Sequence, residues 1–290
     1  MAIITANRYN TIRQQVNNVL GNGSGDTGYG QVLASQNVSV GARIQATHIN
    51  NLYEDIRKCY KHQTGGNPGS TILQTVTSND LINDDDAVEY KGWTQYEGLA
   101  GLIQTNRFDV DVNQQDVASA FSRTRGSWNG TIALITDVQF SSADARRHFF
   151  NQGGFIRITA SVADASSKGG NWNTILSGAG NVDLKAHSTT ASGGAGTVSS
   201  AIGNYELTAS NQYLYQNFDA GSGAYSTNDY YIEASVSGNT ITITQTFRDE
   251  AGGNPDEDIA DATGTIFTAT AITDVIGTAP TVILNPSNTF

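Results

Sequence analysis

Cysteine occurs once in these 290 residues, at Cys59. One thiol excludes an internal disulfide framework, and its place in an apolar helical stripe marks a packed residue rather than a nucleophile. Proline is nearly as scarce, 4 residues against 31 glycines, so the chain turns on glycine and small polar residues. No run of about 18 apolar residues is present to span a bilayer, and the opening MAIITANRYN lacks the basic and apolar regions of a secretory signal. Synthesis in a cytoplasm is therefore expected. Basic residues are few as well, 16 against 27 acidic, for a net charge of −11. Residues 1–70 hold 6 basic and 3 acidic side chains, 71–150 hold 6 and 11, and 151–290 hold 4 and 13. Without a basic cluster after residue 70 there is little to neutralise phosphates, which argues against a nucleic-acid partner. The mildly positive head on an acidic body fits an attachment end or a solvated surface.

What is present favours strands joined by tight turns. The chain is 38% hydrophobic and 15% charged, too apolar for disorder and too glycine-rich for a helical bundle. The stretch RRHFFNQGGFIRITA at 146–160 organises the reading. Ser141 and Ser142 cap a short helix over 142–150, Gly153 and Gly154 let the backbone leave it, and residues 155–162 read as a strand. Before this point the pattern is mixed; after it, β.

Residues 4–20 carry apolar side chains at helical spacing with Thr5 as the cap. Val38 and Val40 fit a short strand. A second helix is expected over 47–62, capped by Thr47, with Ile49, Leu52, Tyr53, Ile56, Cys59 and Tyr60 on one face. The two helices make a hairpin across a glycine loop. Residues 63–71 read as a linker. Tyr90, Trp93 and Tyr96 at spacing three form either a sugar-stacking platform or core. Residues 106–112 alternate as a half-wet strand, 114–122 read as a polar helix-like turn, and 128–138 as a strand buried on both faces. Beyond the glycine turn come a short helix at 172–176 and strands at 181–186, 205–209, 212–217, 230–237, 240–248 and 265–273. The segment EASVSGNTITITQTF is the clearest hairpin. The expected fold is α+β, mainly β: a helical attachment segment (1–65), a mixed linking domain (66–150) and a β-sandwich body (151–290) with many glycine-rich turns.

Nothing in the sequence assembles a nucleophile, a base and an orienting group. Asp84, Asp85 and Asp86, and again Asp256, Glu257, Asp258 and Asp261, are acidic runs without the spacing of a calcium loop, and read as solvated turns. Asp109 and Asp111 share one face of the expected strand, which already explains them without a glycosidase pair. His48, His62, His148 and His187 stand at no metal-ligand spacing. The glycine-rich GSGDTGYG at 23–30 lacks the preceding strand of a nucleotide loop. No catalytic, cofactor-binding or metal-binding residue is assigned.

The segments ITANRYNTIRQQVNNVLGNGSGDTGYGQ, THINNLYEDIRKCYKHQTG, HFFNQGGFIRI, NWNTIL, NDYYIEASV and TITITQTFRDE resemble virion structural proteins of contractile-tailed marine phages, notably cyanophages. The resemblance touches most of the chain in order, through structural rather than catalytic motifs. It implies a non-enzymatic component of tail, neck or fibre that meets other virion proteins and copies of itself, is made in the host cytoplasm and resides in the particle. The nearest variant is a capsid decoration protein. A receptor-binding or glycan-binding fibre module is the second class, with Trp93, Trp128, Trp172, Tyr213, Tyr215, Tyr225, Tyr230 and Tyr231 as candidate contacts for a host surface glycan. Three or more aromatics in one exposed patch would favour it. An enzyme degrading envelope polysaccharide would need carboxylates converging in a cleft.

Overall fold

The computed structural model describes residues 5–78, 80, 82–86, 88–117, 121–163, 167–251, 259–278 and 280–286. Along them run α1 (Ala6–Leu20), α2 (Ala46–Thr64), α3 (Trp93–Thr105), β1 (Gln115–Val117), β2 (Phe121–Trp128), β3 (Thr131–Phe140), α4 (Ala143–Asn151) and β4 (Phe155–Val162). Then follow α5 (Ser167–Ala179), β5 (Val182–Leu184), β6 (Thr189–Ala191), β7 (Thr197–Val198), β8 (Gln212–Asn217), β9 (Asp229–Ser237), β10 (Thr240–Arg248), β11 (Ile259–Ala271), α6 (Thr273–Ile276) and β12 (Val282–Pro286). The fold is α+β with N-terminal helices. Helix and strand contribute 30% and 29%, so strand does not dominate: α3 is a full helix, and α5 runs well past the expected single turn at 172–176. No helix among the described residues is long and apolar enough to cross a membrane.

The chain forms two compact units interleaved in sequence. The first comprises Met1–Asp116, Arg147–Gly153 and Thr270–Ala279, the second Val117–Arg146, Gly154–Ala269 and Pro280–Phe290. The boundaries therefore differ from those expected near 65 and 150. The reason in the first unit is α3. Trp93 and Tyr96 are fully buried, and Trp93 stands edge-on to Tyr9 of α1 at 6.4 Å. The apolar stripes of α1 and α2 thus close over a third helix instead of only over each other, with Val275 and Ile276 of α6 in the same core. Thr5 caps α1 as expected, its hydroxyl accepting from the Arg8 N–H at 3.2 Å. Thr47 does not cap α2. Gln45 takes that place, its N–H donating to His48 Nδ1 at 3.1 Å, which leaves Thr47 inside the first turn.

His62, near the end of α2, is fully buried and 5.2 Å from the Tyr29 ring. Its Nε2 lies 2.8 Å from the Gln152 carbonyl, so this nitrogen carries the proton and donates. Burial pushes the imidazole down to about 4. The folded state then binds this proton less readily than the unfolded chain. Its contribution is present in full above the unfolded value near 6.5 and is lost as pH falls from there toward about 4. A His62→Gln variant is expected to remove this slope: over that window its urea-unfolding free energy should fall by about 3 kcal/mol less than that of the wild type. Parallel curves for the two proteins would contradict the assignment.

The second unit holds two six-stranded sheets. One has the order β1-β11-β4-β5-β6 with β2 also on β11, the other β12-β3-β10-β9-β8-β7. β10 shows how sequence writes this layer. In TITITQTF, Ile241, Ile243, Gln245 and Phe247 are fully buried, and the intervening threonines take the opposite face. Against this layer lies β11 of the other sheet. A Cβ on Gly264 would stand 2.8 Å from Leu134 Cδ2 and 3.3 Å from Gln245 Nε2, so any larger residue here would have to displace the buried Leu134 side chain. Trp128, Trp172, Phe247 and Tyr230 fill the space as a chain of edge-on and tilted rings 5.1–5.8 Å apart.

Several local expectations fail for local reasons. Residues 106–112 form a turn and a short 3-10 element, because the Asp109 N–H bonds the Asn106 carbonyl and Asp111 caps Asn113. Their alternation comes without a pairing partner. Residues 115–117 and 121–122, expected as part of a helix-like turn, are strand, β2 running on to Trp128, and residues 118–120 lie outside the described set. The expected strand at 128–138 is two strands, broken at Asn129 and Gly130, where φ is +76°. Residues 205–209 form turns, and Val38 and Val40 lie in loop. β11 begins at Ile259, earlier than expected, and β12 was not expected.

Candidate functional site

A surface patch on the second sheet is built by a fault in strand β8. Register runs from Tyr213 opposite Glu233 to Tyr215 opposite Ile232, a shift of one residue between them. Without it, two tyrosines spaced by two would share a face. With it, Tyr215 is buried at 1% exposure, whereas Tyr213 remains 38% exposed. Phe218, just past the strand, is 43% exposed. The turn after it is held by Asp219 at φ +48°, whose N–H donates to the Asp229 carboxylate at 2.8 Å. A non-glycine residue in that region costs on the order of 1 kcal/mol, so the turn depends on this hydrogen bond. Tyr231 of β9 completes the group.

The three rings are mutually edge-on. Tyr213 and Phe218 are 5.8 Å apart at 85°, Tyr213 and Tyr231 5.6 Å at 78°, Phe218 and Tyr231 5.6 Å at 74°. Glu233, opposite Tyr213, makes no hydrogen bond or ion pair with a described residue, and the surrounding sheet raises its carboxyl above the usual range by desolvation. Tyr213 is also raised, through desolvation first and then the nearby Glu233 and Tyr231. Neither the Tyr213 nor the Tyr231 hydroxyl bonds a described residue. Arg248 beside them is engaged by Asp229 at 3.4 Å and by Glu250.

The other sequence candidates disperse. Trp93, Trp128, Trp172, Tyr215 and Tyr230 are core, and Tyr225 is half-buried in a 3-10 turn. Tyr90, Trp93 and Tyr96 form no platform. Asp84 pairs with Arg8, Asp85 accepts from Gln95 at 2.7 Å, and Asp86 accepts from the Glu89 N–H at 2.8 Å, so the run acts as a brace before α3. Asp256, Glu257 and Asp258 lie outside the described residues, as does the side chain of Asp261. The four histidines remain apart in their contacts: His48 serves the α2 cap, His62 meets Gln152, His148 the Asn22 carbonyl, and His187 lies on Tyr205 and bonds Glu206. Among the described residues no group of three metal-ligating side chains occurs. Cys59 is buried, and desolvation, then Asp55, pushes its thiol far up, away from the reactive thiolate. The glycine loop at 23–30 wraps α4: Arg147 donates to the Thr27 carbonyl at 2.6 Å and Asn151 to that of Gly28 at 3.1 Å. Of the candidates only Tyr213 and Tyr231 reach the patch. Phe218 was missed, because only the turn at Asp219 brings it there.

No protein-family model matches this chain, and comparison with curated proteins and with solved structures likewise gives no match. Fold and site together define an α+β protein that offers an aromatic surface patch on a rigid sheet.

Proposed function

We propose that this protein is a non-enzymatic structural component of a tailed-phage virion, made in the host cytoplasm and assembled with other virion proteins and copies of itself. One observation carries the reading toward assembly. The first unit buries its own core completely, yet leaves Val32, Val40 and Val88 exposed by 83–89%. Covering a valine side chain contributes roughly 1.5 kcal/mol or more, so three such residues favour association once a neighbour covers them. The edge strand β12, where Ile283 is 54% exposed, offers a second surface for pairing. The phage identity itself rests on the sequence resemblance.

The test is the composition of gradient-purified particles of the phage that encodes this chain. The chain is expected there at fixed stoichiometry, and a folded Val32→Asp, Val40→Asp, Val88→Asp variant is expected to be left out. Recovery of the wild-type chain only from the lysate, never from particles, would reject the proposal.

A further inference from the structure

The geometry points to the Tyr213, Phe218 and Tyr231 patch, with Glu233, as a binding site for a neutral saccharide. Three observations select that ligand. First, the rings are too closely packed to enclose a cation. Centroids 5.6–5.8 Å apart share a midpoint about 3.3 Å from each (5.7/√3), inside the ~3.5–4.0 Å of ordinary carbon contact. A ligand must therefore lie on the outside of the cluster, against the exposed parts of Tyr213 and Phe218. The C–H face of a pyranose has that shape and apolarity.

Second, the polar groups around the rings suit hydroxyls. The Tyr213 and Tyr231 phenols and the Glu233 carboxylate carry no protein partner among the described residues, which leaves two groups able to donate or accept and one strong acceptor. A sugar hydroxyl can satisfy either kind. Third, the local charge decides between sugar classes. Glu233 stands opposite Tyr213, Asp229 lies two residues before Tyr231 on the same strand, and Asp219 directly follows Phe218; Arg248, paired opposite Asp229 on β10, is already engaged by Asp229 and Glu250. Uronate or sulfate groups would meet like charge in a chain already at −11. The support is rigid, since Tyr231 and Glu233 project from a strand hydrogen-bonded on both sides by β8 and β10.

This inference is independent of the particle reading, because it is tested on the isolated full chain. Binding would be measured by biolayer interferometry on immobilised dextran, mannan and galactan as neutral polymers and on alginate and heparin as acidic ones. At least one neutral polymer is expected to bind and neither acidic one. Tyr213→Ala and Phe218→Ala should each weaken binding roughly tenfold, with Tyr213→Phe, which keeps the ring and loses the hydroxyl, falling between wild type and Tyr213→Ala, and Val32→Ala unchanged. Both truncations sit at the surface, and matching thermal unfolding curves would show that they fold. Four results would overturn the site: no neutral polymer bound, preference for the acidic polymers, truncations that bind like wild type, or self-association that Tyr213→Ala abolishes, which would make a second copy the occupant.

Discussion

Replacing Trp172 with alanine is expected to lower the unfolding free energy by about 4 kcal/mol. Trp172 is fully buried on α5, edge-on to Trp128 at 5.1 Å and 5.8 Å from Phe247, where the two sheets of the second unit face each other. Removing the indole takes away both its transfer energy and its ring contacts with Trp128 and Phe247, and a site walled by β-strands relaxes poorly into the void. The indole N–H has no partner among the described residues. Trp172→Phe therefore gives up no hydrogen bond and should cost under about 2 kcal/mol. Urea unfolding followed by circular dichroism distinguishes the two, and a loss below about 1 kcal/mol in the alanine variant would contradict this account of the core.

Asp55→Ala should be comparably severe in the first unit, again about 4 kcal/mol. The carboxylate is fully buried on α2 and receives the Ala34 and Ser35 N–H groups at 2.9 Å each and the Ser35 hydroxyl at 2.6 Å. A charged acceptor bonded by three donors holds a loop that has no regular structure of its own. Deleting it leaves the buried Ser35 N–H and hydroxyl with no acceptor, each costing roughly 1–3 kcal/mol, and releases the Ala34 N–H at the exposed edge of the loop. Asp55→Asn keeps one acceptor oxygen and should fall between the two. Hydrogen-exchange mass spectrometry should show the loss in residues 6–20 and 46–64 of the first unit. If those segments keep wild-type protection, the carboxylate is not the anchor assigned here.

Legibility from sequence followed the locality of the forces. β4 and β10 match their expected spans residue for residue, because their alternation is written with branched and aromatic side chains. α4 was readable from Ser142, whose hydroxyl accepts the Ala145 N–H at 3.0 Å, and from Gly153 at φ +77°. Residues 106–112 show the opposite case. Their alternation is as regular as that of β10, yet Asp111 bonds the His62 carbonyl and Val112 is 73% exposed, because a strand also needs a neighbour. The candidate site was half legible. Tyr213 and Tyr231 stood out by residue type, whereas no pattern separated them from Tyr215 and Tyr230, which are core.

By itself the sequence determined the α+β class, the N-terminal helices and the central hairpin, since caps, glycine turns and apolar period act within a few residues. Only the tertiary structure decided which aromatics face water, that α3 closes the helical core, and that Gly264 admits Leu134. Those outcomes depend on register and on contacts between segments as far apart as residues 134 and 264. A one-residue shift in β8 reverses the faces of its tyrosines without changing any residue's preference for the strand.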